Sequence, residues 1–102
     1  MIGFSDLHWT SRPVDPAQYM EWVKLYPAVP DYGMWAIATF PNGYGVRVAR
    51  GPLTIGGKDG LFEAWVIGKD GSQDDATPVG AKQGNLTEAQ VTSFMSQIQA
   101  LA

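Results

Sequence analysis

Apolar residues recur along the chain with two periods, one near two and one near 3.6, and the switches between them mark out the elements. The clearest period of two runs through Met34–Phe40: Trp35, Ile37 and Thr39 point one way, and Met34, Ala36, Ala38 and Phe40 the other. Both sets are largely apolar, so this stretch reads as a central strand. The tetrapeptide Phe40-Pro41-Asn42-Gly43 then offers proline where a turn wants φ near −65° and glycine where the chain must go left-handed, which predicts a hairpin. Tyr44–Arg50 is its return strand, with Tyr44, Val46 and Val48 on one face and Arg47 on the other. A third strand, Leu61–Ile67, sets Phe62, Ala64 and Val66 against Leu61, Glu63, Trp65 and Ile67. The stretch Met34–Ile67 therefore predicts the sheet around which the rest of the chain is arranged.

The longer period occurs twice. Asp15 as N-cap, Pro16 at the first helical position and Gln18 as the far half of a capping box open a helix with its apolar stripe on Tyr19, Trp22, Val23 and Tyr26. Pro27 ends it at about Leu25 or Tyr26, because the residue before a proline is pushed out of the helical region. The second helix opens at Thr87, whose capping box closes on Gln90 and whose hydrophobic staple pairs Leu86 with Val91. Its stripe is Val91, Phe94, Met95, Ile98 and Leu101. The remainder reads as connection: an extended start over Met1–Thr10, a glycine-rich excursion over Gly51–Gly60, and a polar stretch over Ser72–Asn85 in which Ala76–Val79 offers a short edge pairing. The fold class predicted is α+β in a single domain spanning residues 1–102: an antiparallel sheet of three to five strands with two amphipathic helices packed on one face.

Composition changes this picture by exclusion. With 45% hydrophobic and 17% charged residues the chain is a globular folder. A net charge of −3 without a basic cluster speaks against direct nucleic-acid binding and against an anionic membrane surface. The absence of cysteine rules out disulfides and thiolate metal sites, and no apolar run reaches the roughly 18 residues of a membrane helix. A soluble, cytoplasmic protein is expected.

Candidate chemistry is sparse. Gly51–Lys58 (GPLTIGGK) invites comparison with a phosphate-binding loop, but the lysine comes one residue late, Asp59 stands where a hydroxyl should bind Mg²⁺, and a strand rather than a helix follows. His8 is the only histidine, with Ser5 and Asp6 beside it in one segment, whereas catalytic triads converge from distant parts of a chain. Asp70, Asp74 and Asp75 lack calcium-loop spacing and read as turn residues. No catalytic residue, metal ligand or cofactor is expected, and the chain reads as non-enzymatic. Glu63 and Arg47 on neighbouring strands predict a cross-strand ion pair. The surplus of tryptophan is the most telling feature: four in 102 residues, and since two helices cover only one face of the sheet, the other face either meets the N-terminal segment or exposes aromatics such as Trp35 and Trp65. Exposed aromatics beside arginine are the composition of a protein-binding hot spot. The expected partner-binding residues are Trp35, Arg47, Arg50, Lys58 and Trp65.

The run Pro41-Asn-Gly-Tyr-Gly45-Val, then Gly56–Trp65 (GGKDGLFEAW), Asp75–Pro78 (DATP) and Leu86-Thr-Glu before the final helix resembles a group of small proteins of tailed phages and prophages. Their pattern runs Asn-Gly-Tyr-Gly, Tyr-Gly-Gly, Gly-Leu-(Phe/Trp)-Glu, Asp-Thr-Pro, Leu-Thr-Glu, and the likeness covers about residues 40–101. The chain departs from it at Ile55, where the loop tyrosine would stand, and at Ala76, inside the Asp-Thr-Pro motif. The resemblance implies a phage-encoded, anti-CRISPR-like protein in the cytoplasm of a bacterial host, where it binds and inhibits a host protein such as a CRISPR or other defence effector. The alternative expectation is a sponge for a nucleotide signal, with Arg47, Arg50 or Lys58 against phosphate and a tryptophan against the base.

Overall fold

A computed structural model of the chain describes residues 2–13, 32–51 and 54–102. It shows a five-stranded antiparallel sheet in the order of the sequence, β1 (Thr10–Pro13), β2 (Tyr32–Thr39), β3 (Gly45–Arg50), β4 (Phe62–Ile67) and β5 (Gln83–Leu86), followed by one helix, α1 (Glu88–Gln99). The α+β class and the antiparallel sheet agree with expectation. Among the described residues one α-helix covers the sheet instead of two, and the helix expected from Asp15 to about Tyr26 lies outside the described residues. None of the helices in the described residues is long and apolar enough to cross a membrane.

The hairpin forms where the turn chemistry placed it. Gly43 takes φ +90 and donates its N–H to the Phe40 carbonyl at 2.9 Å, while the Phe40 N–H reaches the Tyr44 carbonyl at 2.7 Å. The helix also starts as expected: the Gln90 N–H donates to Thr87 Oγ1 at 3.2 Å and the Thr87 N–H to Gln90 Oε1 at 2.8 Å, with Leu86 and Val91 both buried as the staple. Val91, Phe94, Met95 and Ile98 lie fully inside. Burying side chains of this size stabilises by roughly 1.5–3 kcal/mol each, which a helix of this length needs because alone in water it is marginal.

That stripe packs on one face of the sheet, formed by Ala36, Val46, Val48, Phe62, Ala64 and Val66. The N-terminal segment joins the same side: Leu7 is buried, and Phe4 and Trp9 stack around Phe62 with ring centroids 5.1–5.6 Å apart. Its backbone is tied to α1, with the Ile2 N–H on Gln99 Oε1 (3.1 Å), Gln99 Nε2 on the Ile2 carbonyl (2.7 Å) and the Phe4 N–H on Thr92 Oγ1 (3.0 Å). A second tie fastens the hairpin to the far end of the helix. Asn42 Nδ2 donates to the carbonyls of Ile98 at 2.9 Å and Leu101 at 3.1 Å, and its Oδ1 accepts the Tyr44 N–H at 3.1 Å. One turn side chain thus adds a donor to the Ile98 carbonyl in the last turn of the helix, which also accepts the Leu101 N–H, and binds the Leu101 carbonyl just beyond the C-cap Ala100.

The edge pairing expected over Ala76–Val79 is not there. Those residues lie in turns, one closed by the Gly80 N–H on the Thr77 carbonyl, and the fifth strand forms later, at Gln83–Leu86. Its signal is weak because Gly84 and the left-handed Asn85, φ +56, sit inside it and its register on β4 shifts between Phe62 and Ala64.

Candidate functional site

Strand register decides what stands on the other face. Ile37 lies opposite Arg47, and Arg47 opposite Trp65, so these three side chains form one row across β2, β3 and β4. The row beside it is Trp35, Ala49 and Glu63, and the row on its other side Thr39, Gly45 and Ile67. The predicted site residues Trp35, Arg47 and Trp65 are therefore brought together on the face away from α1.

The chemistry of the central row is that of a contact surface. Ile37 keeps 58% of its surface exposed, an unusual state for isoleucine in the middle of a strand. Beside it the Arg47 guanidinium lies 4.9 Å from the Trp65 ring centroid, and its Nε is buried without a hydrogen-bond acceptor. The ring face attracts the cation, yet a buried donor left unmade costs about 1–3 kcal/mol. The row thus holds an aromatic, an aliphatic and a cation with spare hydrogen-bonding capacity. Small residues keep it level: a Cβ on Gly45 would fall 2.5 Å from the Ala38 carbonyl oxygen, and Ala49 is buried beneath its larger neighbours.

Glu63 closes one end of the face, and its partner differs from the one expected. The ion pair with Arg47 is replaced, because register sets Ala49 rather than Arg47 opposite Glu63 and turns the guanidinium to Trp65. Glu63 instead accepts the Ile55 N–H at 3.2 Å and pairs with Lys82 Nζ at 3.8 Å. At 7% exposure its charge needs both contacts. Lys82 also approaches the Trp65 ring, at 5.8 Å, so among the described side chains this face carries two cations against one carboxylate although the whole chain is acidic.

The described end of the glycine-rich excursion, residues 54–60, is folded. Residues Gly57–Asp59 form a single 3-10 turn entered and left through left-handed Gly56 and Gly60. The Ile55 carbonyl accepts the Asn85 N–H at 3.4 Å, and the Ile55 side chain lies over Gly84, where any Cβ would overlap it. The excursion therefore shields the outer side of β5, an edge that would otherwise offer itself for pairing.

Two predicted site residues do not join the aromatic face. Arg50 lies on the helix side, its guanidinium 5.1 Å from the Phe62 ring centroid and within reach of the Gly60 carbonyl and Met34 Sδ. Lys58 has its backbone in the 3-10 turn, and its side chain lies outside the described residues. His8 is exposed in the N-terminal segment. Asp70, Asp74 and Asp75 serve the polar loop locally: Asp70 Oδ1 accepts the Ser72 N–H and hydroxyl, Asp74 the Ala76 N–H, and Asp75 the Gln73 amide. The Ser72 backbone bond, followed by its hydroxyl, holds the Asp70 carboxyl below its usual pKa. No group of three or more potential metal ligands converges among the described residues.

The exposure of Ile37 was not foreseen, because alternation alone cannot say which face of the sheet α1 covers. Sequence reasoning missed Lys82 because nothing marked Gln83–Leu86 as a strand. Comparison of the chain with protein-family models, curated proteins and solved structures finds no match.

Proposed function

We propose that this protein is a non-enzymatic binding module that seats a partner protein on the sheet face built by Trp35, Ile37, Arg47 and Trp65. The observation that carries this reading is the central row: an isoleucine more than half exposed beside an arginine that stacks on tryptophan and has a buried, unused Nε donor. Aromatic and arginine side chains dominate protein-binding hot spots. The resemblance to small phage proteins supplies the biological frame: the partner is a bacterial host factor, such as a defence effector, and binding inhibits it. A nucleotide sponge, with Arg47, Arg50 or Lys58 against phosphate, is the second reading; Arg47 and Arg50 stand on opposite faces of the sheet, so those two do not share one phosphate site, and the tryptophan beside Arg47 is Trp65.

The test is retention of a host protein from bacterial lysate by the immobilised chain, repeated with Arg47→Glu, Trp65→Ala and the helix-surface control Gln97→Lys. Loss of one hot-spot side chain costs about 2 kcal/mol or more, roughly a thirtyfold fall in affinity. The face variants should lose the retained protein while Gln97→Lys keeps it. Retention of nothing by the wild type, or equal retention by all three variants, rules the reading out.

A further inference from the structure

Strand β2 outruns its neighbour β1. Pairing between them ends at Thr10 opposite Trp35, whereas pairing of β2 with β3 continues to Thr39 opposite Gly45. In an antiparallel ladder alternate residues turn both backbone groups to opposite neighbours. The Phe40 N–H on the Tyr44 carbonyl sets the phase, so Ala36, Ala38 and Phe40 turn toward β3, and Trp35, Ile37 and Thr39 toward the β1 side. Trp35 meets Thr10 there. Ile37 and Thr39 have no strand opposite them among the described residues, because the chain before Thr10 leaves the sheet for the 3-10 turn Phe4–Asp6. What results is a notch in line with β1, presenting two N–H and two C=O groups, beside a groove of about 730 Å³ walled by Ile2, Asp6, Leu7, His8 and Gln99.

We propose that this notch takes a short, extended and basic segment of a partner protein, added as a strand beside residues 37–39. Backbone groups two residues apart on one edge match the repeat of an extended chain. Exposed edges are usually blunted by charge, proline or a bulge, and Ile37-Ala38-Thr39 carries none of these. The side chains of an added strand would alternate between the aromatic face and the groove. Among the described residues that line the groove Asp6 is the acidic side chain, one of its oxygens accepting the Gly3 N–H at 2.9 Å, and none is lysine or arginine, which favours a cationic residue there. The inference does not rest on the aromatic face as a binding site, since its recognition elements are backbone groups.

Amide hydrogen exchange on the full chain, with a blocked Lys-Val-Lys-Val-Lys-Val peptide as probe, tests it. In the protein alone the Ile37 and Thr39 amides should exchange much faster than those of Ala36 and Ala38. Peptide at about ten times its Kd should slow Ile37 and Thr39 about tenfold. A peptide N-methylated at alternate residues should give no protection, a Glu-Val counterpart should bind more weakly, and Trp65→Ala should leave the protection intact. Three results would overturn the proposal: Ile37 and Thr39 already protected in dilute protein alone, protection that grows with protein concentration without peptide, as pairing with a second copy would give, or equal protection by the N-methylated peptide.

Discussion

Replacing Asn42 separates two roles that its side chain combines. As a hairpin-turn residue it needs only a short polar side chain able to accept the Tyr44 N–H; as a latch it must also donate to the carbonyls of Ile98 and Leu101. Asn42→Ala removes all three bonds. Each is worth about 0.5–1.5 kcal/mol net, and water replaces part of the loss at this half-buried position, so the expected destabilisation is about 2 kcal/mol. For a domain of this size that lowers Tm by about 10 °C. Asn42→Asp is the informative comparison. Aspartate suits the turn and keeps the acceptor, but at neutral pH it sets a carboxylate against two carbonyl oxygens at the negative end of a helix. It should therefore be at least as destabilising as alanine. That setting raises the folded-state pKa of the new carboxyl above its unfolded value of about 3.9, so folding favours the protonated form. The deficit of Asn42→Asp should accordingly shrink as pH falls through the folded-state pKa, where a protonated carboxyl regains one donor. Thermal melts by circular dichroism between pH 3 and pH 7, normalised to the wild type at each pH, give the answer. If Asn42→Asp melts within about 2 °C of wild type at neutral pH while Asn42→Ala does not, the turn is what matters and the latch is refuted.

Two further predictions concern the loops. Gly84→Ala places a methyl group in the Ile55 side chain and should destabilise by about 1–3 kcal/mol, while combining it with Ile55→Ala relieves part of the overlap; urea titrations of the two single variants and the double should be non-additive by more than about 0.5 kcal/mol, and strict additivity would show that the excursion does not rest on β5. The depressed pKa of Asp70 means that its contacts with Ser72 contribute fully above the unfolded carboxylate pKa and are lost as pH falls through the lower folded value; Ser72→Ala removes the hydroxyl bond and keeps the larger contribution of the backbone N–H, so it should move the Asp70 titration, followed by NMR, only part of the way back up, and an unmoved titration would exclude the Ser72 hydroxyl as a cause.

Much of the architecture was legible along the chain because its determinants are local. The turn at Pro41-Asn42-Gly43, the capping box of Thr87 and Gln90, the central three strands and the apolar stripe of α1 each depend on residues within a few positions of one another. The faces were legible too, since alternation sets Trp35 with Ile37 and Trp65 with Glu63 whatever lies above them. Only the tertiary structure could say which face α1 covers, because both faces of β2 are apolar. It likewise decided that Arg50 belongs with Phe62, that Lys82 rather than Arg47 answers Glu63, and that Asn42 reaches across to the end of α1. These are contacts between residues far apart in the chain, set by strand register and by where neighbouring strands begin and end. The same physics leaves Ile37 and Thr39 with no strand opposite them on the β1 side among the described residues: no local pattern records that β1 stops pairing at Thr10.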